Sequence, residues 1–391
     1  MTHAVINHPI TAELLRGAAE LEDTGRGLLP HRLPKAARDQ TDDAQLHTAE
    51  SQPSGVRFAF RSSATAVELE ILRSRMLIAG IPDRPDGAVD LRVDGRLVDT
   101  TVTSGGEVTR LDPATGAVDH QPGPTATLRF DGLPAGAKDI EIWLPHRERV
   151  ELVALRSDAP ITAAPSGRRV WVHHGSSISQ GSNADTPSTT WPALAAAQAG
   201  LELVNLGLSG SAMLDPFTAR AIAAQPADLI SVKIGINLVN ADLMRQRAFR
   251  PAVHGFLDVI RDQHPTVPLI VIGPLYCPIH ETTPGPGAFD TGALARGEVR
   301  FQATGTPDAS EIPATLRRLT LTTIRAELAA VLAQRREADS QLHHVDGLAL
   351  YGPQDAAQHP LPDGLHPDGD THRLIADRFV AAAAGAWGPW V

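Results

Sequence analysis

Arg168-Arg169-Val170-Trp171-Val172-His173-His174-Gly175-Ser176-Ser177-Ile178-Ser179 is the stretch on which the fold turns. Arg169 to His173 predicts a short strand, and the glycine and serines after it make an exposed turn leading into a helix. The same rhythm continues downstream. Helices are expected at Trp191–Ala199, Arg247–Gln263, Ala314–Arg336 and Thr371–Ala384, and strands at Leu201–Asn205, Leu229–Ile234, Leu269–Ile272 and Leu342–Val345. Strands alternating with helices imply a parallel sheet covered on both faces, so residues 168–391 are expected to form an α/β/α domain. Pro274 to Pro313 breaks the rhythm and is too long for a plain connection, which leaves a substrate-side insertion or a partly disordered segment.

Upstream the period changes. Val56, Phe58 and Phe60 alternate with Arg57, Ala59 and Arg61, and Val67, Leu69 and Ile71 alternate with Glu68 and Glu70. Val89, Leu91 and Val93 lead into Asp94-Gly95, the signature of a two-residue hairpin. Further strands are expected at Ala126–Phe130, Asp139–Trp143 and Val150–Val153. Turn residues punctuate these runs as in a sandwich or jelly roll, so a two-sheet β domain is placed within residues 1–163. Ahead of it a short helix is expected over Ile10–Leu21, whose Leu14, Leu15, Ala18 and Leu21 share a face, and Asp39–Ser54 reads as a polar stretch. Asp158–Gly167, with Pro160 and Pro165, reads as a linker.

Composition narrows the functional classes. The chain has 391 residues, 42% hydrophobic and 20% charged, which suits two globular domains with proper cores. A formal net charge of −10 with no Lys/Arg run makes nucleic acid and anionic membranes poor partners, and favours a neutral substrate. Cys277 is the single cysteine, so no disulfide can form within the chain. The first residues lack a basic start, apolar run and cleavage site, and no stretch approaches 18 apolar residues, so a cytoplasmic location is the default expectation. A homo-oligomer is left open.

Ligands of open α/β sheets bind at the carboxyl ends of the strands. Four segments lie there: His174 to Ser179, Asn205 to Gly210, Gly235-Ile236-Asn237 and Asp363-Gly364-Leu365-His366. Acyl transfer needs a nucleophile, a base, a group that orients the base, and donors for the oxyanion. Ser177 can be the nucleophile, with its hydroxyl and its backbone N–H at one point. His366 can be the base, and Asp363, three residues earlier, can fix its tautomer. Gly210 offers a backbone N–H without a side chain in the way, and Asn237 offers an amide.

These segments resemble, in order and spacing, the signature blocks of the SGNH (GDSL-like) hydrolase superfamily. Gly175 to Ser179 resembles its Gly-Asp-Ser block, Asn205 to Gly210 the block supplying the glycine, Gly235 to Asn237 the Gly-x-Asn block, and Asp363 to His366 the Asp-x-x-His block. The resemblance implies a flavodoxin-like catalytic domain, ester hydrolysis without a metal or other cofactor, the triad Ser177, His366 and Asp363, and an oxyanion hole of Ser177 N–H, Gly210 N–H and Asn237. Ser176 stands where the family usually has Asp, which makes it a rival nucleophile, and Leu238 stands where Asp is common. A β-sandwich ahead of such a domain also resembles carbohydrate esterase family two, whose members remove acetyl groups from sugars.

Other residues are weighed against plainer roles. His174, Ser176 and Trp191 are candidate substrate-lining groups, although Trp191 and Trp143 are read first as core residues. Asn205 fits strand-end turn chemistry. His366 to His372 lacks the spacing of a metal site, with Asp370 expected to cap a helix. Cys277 reads as a buried thiol. The Gly-x-Ser-x-Gly elbow is absent, because Gly207-Leu208-Ser209-Gly210-Ser211 fails at its last position. The expectation is a carboxylester hydrolase acting on short acyl, chiefly acetyl, esters of small molecules or carbohydrates. An acyltransferase or thioesterase on the same triad is the alternative, as is a glycan-binding or oligomerisation module carrying a weakly active hydrolase domain.

Overall fold

The computed structural model describes residues 5–164 and 166–387. The chain divides into two compact units. One comprises the residues up to Arg38, His47–Gly167 and Thr186–Ser188. The other comprises Asp39–Leu46, Arg168–Asp185 and the residues from Thr189 onward. Against a plain division into 1–163 and 168–391, two short segments change sides: Asp39–Leu46 belongs with the second unit and Thr186–Ser188 with the first.

The first unit is a β-sandwich. Its larger sheet is built on the long strand Ala66–Ile78, flanked by Arg149–Ser157 and Ala126–Asp131, and its smaller sheet on Arg57–Ser62, Lys138–Trp143 and Ala88–Val93. Alternation decides which face goes inward. Val67, Leu69 and Ile71 of one sheet and Phe58, Phe60, Leu91, Ile140 and Ile142 of the other share one buried core. Outward positions carry charge, as where Arg156 holds Glu70 at 2.6 Å. Asp94 and Gly95 join antiparallel strands with φ of 47° and 77°, the two positive values that a type I′ turn demands. Trp143 is buried, with its indole N–H donated to Glu141 at 3.0 Å and the Arg57 guanidinium 4.6 Å from its ring centre.

The helix expected over Ile10–Leu21 does not form. Ala12–Leu14 makes one 3-10 turn, and Leu15–Arg16 and Glu20–Asp23 join the sheets. Gly17 breaks the run at φ 82°, and Leu14 and Leu15 bury in the sandwich instead of on a helix face. Conversely, the polar stretch after Asp39 contains the helix Ala44–Ser51, opened by Asp43, whose carboxylate accepts the N–H groups of Gln45 (2.8 Å) and Leu46 (3.3 Å). The expected linker supplies the strand Ile161–Ala163, paired with Arg57–Ser62; Pro165 lies outside the described residues.

The second unit carries a five-stranded, wholly parallel sheet. Across it run Glu202–Gly207, Val170–Gly175, Leu229–Lys233, Leu269–Ile272 and Leu342–Val345. In chain order this is 2-1-3-4-5, the flavodoxin-like arrangement, and it reverses direction beside Val170–Gly175. The helix expected from Ala314 starts only at Leu321, where the Thr320 hydroxyl accepts the Thr323 N–H and the Thr323 hydroxyl accepts the Thr320 N–H. The segment 274–313 is ordered, with a hairpin of Gly287–Phe289 and Phe301–Ala303. Among the described residues no helix is long and apolar enough to cross a membrane.

At the closing helix Gly369–Trp387, Asp368 rather than Asp370 receives the Thr371 N–H, at 2.9 Å. His372, fully buried, accepts the Trp191 N–H on Nδ1 (3.1 Å) and donates from Nε2 to Ser182 O (3.0 Å). Burial pushes its imidazole down to about 4. A histidine that stays neutral when folded and protonates when unfolded contributes stability that is present above its unfolded value, about 6.5, and is lost as pH falls toward the folded one. Stability should therefore fall by about 3 kcal/mol from this group between pH 7 and 4. Urea midpoints measured across that range should show a shallower acid loss for His372→Gln than for wild type; parallel curves would refute the assignment.

Candidate active site

The short helix Ser177–Gln180 follows directly on the strand Val170–Gly175 and lies against the end of its neighbour. Two glycines permit that approach. A Cβ on Gly207 would sit 2.4 Å from Gln180 N, and one on Gly175 would sit 2.3 Å from Ser179 Oγ. Asn205 fastens the helix from below, donating Nδ2–H to Ser179 O (2.9 Å) and accepting the Gly207 N–H on Oδ1 (2.9 Å). Ser177 is thereby held at the first position of a helix, at the point where the sheet order reverses.

Across from it, Asp363 and His366 form a tight turn. Asp363 Oδ1 accepts the N–H groups of Leu365 (2.9 Å) and His366 (2.7 Å), while Oδ2 receives His366 Nδ1 at 2.8 Å. His366 Nε2 stands 3.0 Å from Ser177 Oγ. All three side chains are buried. Burial alone would raise the Asp363 carboxyl, but the hydrogen bond and charge of His366 and the two backbone N–H groups outweigh it and hold it down at about 2. Asn183, with φ 62°, adds an amide donor to Asp363 Oδ2 at 3.2 Å.

Three N–H donors come from the ends of three strands. Asn237 is oriented by the Ala212 N–H, which donates to its Oδ1 at 3.2 Å and leaves Nδ2 as the donor end of the amide. Gly210, at φ 75°, sits in a turn closed by the Ser211 N–H on Leu208 O (3.1 Å). Among the described residues neither Gly210 N–H nor Ser177 N–H has a partner within the chain.

The other candidate residues go elsewhere. The Ser176 hydroxyl is buried without a hydrogen-bond partner and is not the one at His366. His174 points its Nδ1 at Leu206 O (2.8 Å) and stacks on Phe256. Trp191 is fully buried against Trp171, His173 and Phe379, so it is a core residue and not a lining one.

Sequence reasoning missed what surrounds the turn. Phe301, from the hairpin in the 274–313 segment, donates its backbone N–H to Asp363 O (2.8 Å), sets its ring edge-to-face on His366 at 5.4 Å, and pairs with Phe289 at 4.7 Å. Cys277 Sγ meets Gly364 O at 3.5 Å. Lys233 and Cys277 line a cavity of about 10 Å³, room for one water, with Ile178, Tyr351 and Leu365. Burial pushes the Lys233 ammonium down to about 8 and the Cys277 thiol up to about 12. No residue pattern marks these groups, because their roles arise from contacts across the fold.

A buried Ser/His/Asp arrangement at the switch point of a 2-1-3-4-5 sheet defines a serine hydrolase of the SGNH class. Residues 174–374, just over half of the chain, match the GDSL-like lipase/acylhydrolase family, and the chain belongs to that family. Among solved structures it is similar to the salicylyl-acyltransferase SsfX3 from a tetracycline biosynthetic pathway, with 26% identity, coverage of 98% of this chain and 97% of that one, and a TM-score of 0.78. It is also similar in fold to a family two carbohydrate esterase from Clostridium thermocellum solved with cellohexaose (15% identity, 86% and 94% covered, TM-score 0.57). A third is an acetyl xylan esterase from the rumen bacterium Butyrivibrio proteoclasticus (11%, 99% and 99%, TM-score 0.53). No curated protein matches the chain.

The Cys277 environment yields a direct check. A thiol that is buried and protonated well above neutrality should not react with a disulfide reagent at pH 8 in the native protein, and should react fully in denaturant. Rapid native labelling would contradict this placement.

Proposed function

We propose that the protein is a carboxylester hydrolase acting on short acyl esters, chiefly acetyl esters of small neutral molecules or carbohydrates. The observation that carries this reading is the unbroken line from the Asp363 carboxylate through both nitrogens of His366 to Ser177 Oγ, at 2.8 and 3.0 Å. Ser177 Oγ attacks the acyl carbon while His366 Nε2 takes the hydroxyl proton. The oxyanion is received by Ser177 N–H, Gly210 N–H and the Asn237 amide. The intermediate collapses with the proton passing from His366 to the leaving alkoxide. Water then repeats the sequence on the acyl-enzyme and regenerates Ser177. Asp363, held ionised at about 2, fixes the imidazole tautomer and stabilises the imidazolium.

An acyltransferase on the same triad is the second reading, favoured by the 26% identity with the salicylyl-acyltransferase over nearly the whole of both chains. The two readings share their chemistry up to the acyl-enzyme and part only at the acceptor, water or an alcohol. The Phe301 ring beside His366, with Phe289 packed against it, offers an apolar surface suited to a sugar face or a planar acyl group.

Hydrolysis of p-nitrophenyl acetate, butyrate and octanoate, with and without added sugar and phenolic alcohols, separates these readings. Wild type and Ser176→Ala should turn over acetate fastest, and Ser177→Ala should lose about 10⁴–10⁶ in kcat. Asn237→Ala should lose about 10²–10³. Loss in Ser176→Ala alone would overturn the choice of nucleophile. Acyl-alcohol formation outrunning hydrolysis would favour the transferase.

A further inference from the structure

We infer that Gln45, from the helix Ala44–Ser51, is a positioning residue for the Gly210 N–H, and that it does so together with Gln180. The inference rests on the oxyanion role proposed for Gly210. An amide is planar, so Ser209 C=O and Gly210 N–H are two ends of one rigid unit pointing in opposite directions. Gln45 Nε2 donates to Ser209 O at 2.9 Å, which holds that unit by its oxygen end. Gln180 Oε1 accepts the Ser209 N–H at 2.8 Å, which holds the preceding peptide. Ser209 is thus gripped on both its N–H and its C=O, and the direction of the Gly210 N–H follows.

Hydrogen bonding to a carbonyl also polarises its amide and makes the N–H at the other end a better donor. Contact reinforces the grip. A Cβ on Gly210 would come 3.1 Å from Gln45 Cγ and 3.2 Å from its Nε2, so the glutamine side chain lies directly over the glycine. Gln45 is itself anchored, since Asp43 accepts its backbone N–H at 2.8 Å and Leu46 beside it is buried. A segment well over a hundred residues before the nucleophile therefore completes the second unit at the oxyanion loop. Gln180 ties the same loop to the helix that carries Ser177, so the Ser177 and Gly210 donors are set relative to each other through one side chain.

Because Gln45 is exposed, its replacement tests the idea without opening the core. Gln45→Met keeps the length and removes the donor; Gln45→Glu sets an acceptor against an acceptor. On p-nitrophenyl acetate, Gln45→Met should lower kcat about three- to tenfold. KM should stay within about twofold, with Tm unchanged, and Gln45→Glu should fall at least as far. Affinity for a trifluoromethyl ketone, which forms an oxyanion on Ser177, should drop by the same factor as kcat/KM. Wild-type kcat and inhibitor affinity in Gln45→Met, alongside a large loss in Asn237→Ala, would overturn the role of Gln45 and leave the hydrolase reading intact. A raised KM with a lowered Tm would make the contact merely structural and overturn it equally. Full turnover by Ser177→Ala would overturn the hydrolase reading and this inference with it.

Discussion

The close seating of the helix Ser177–Gln180 on the ends of two parallel strands is the contact on which the site depends. It exists because Gly175 and Gly207 have no side chain to hold the helix away, and because Asn205 satisfies Ser179 O from beneath. A methyl at position 207 would collide with the backbone of Gln180 and displace the serine with it. The sheet order then does the rest. With the first strand between the second and third, the loops bearing Ser177, Gly210 and Asn237 leave neighbouring strand ends at the point where the order reverses. The three segments are brought side by side as a consequence of topology, without any sequence proximity.

Electrostatics in this setting work by opposition. Burying a carboxylate disfavours its charge, yet Asp363 stays ionised because four donors reach its two oxygens. The backbone N–H groups of Leu365 and His366 impose the turn that aims His366, so the carboxylate bonded to the imidazole and the geometry that presents the imidazole have one source. His173 and His372, in contrast, meet neutral partners and lie well below their ordinary values because burial dominates. Among the described residues five histidines of this unit are buried, His173, His174, His280, His366 and His372, and what distinguishes His366 is a carboxylate on one nitrogen and the Ser177 hydroxyl on the other.

Much of this was legible in the sequence, for reasons that can be stated. Period-two alternation around Val67–Ile71 and the Asp94-Gly95 turn announce a half-buried sheet, and short apolar runs followed by Gly and Ser announce parallel strands with functional ends. The candidate triad and donor residues lie at those ends, where local pattern and chemistry coincide. The failures share a cause. Leu14 and Leu15 fit a helix face but bury in a sandwich, since tertiary packing overrides a weak local preference. Arg317 and Arg318 suit a helix, yet the cap at Thr320 starts the helix only after them. Trp191, read first as core with pocket lining as the alternative, is packed into the core by Trp171, His173 and Phe379.

Contacts that tune the site were the least legible, because each joins residues far apart in the chain. Phe301 reaches Asp363 and His366 from a segment that the sequence leaves as either a substrate-side insertion or a partly disordered stretch, and Asn183 reaches Asp363 from the turn beyond Ser177. These groups share a mode of action: each constrains a peptide or ring of the candidate triad. A pattern search finds groups that need a particular chemistry, such as a hydroxyl or an imidazole. Groups that only hold a direction can be supplied by many residue types from many positions, so they leave no signature. The hairpin holds the Asp363–His366 turn at two points, the Phe301 N–H on Asp363 O and the Phe301 ring on the His366 imidazole, so a change in Phe301 alters the support of a carboxylate and an imidazole together.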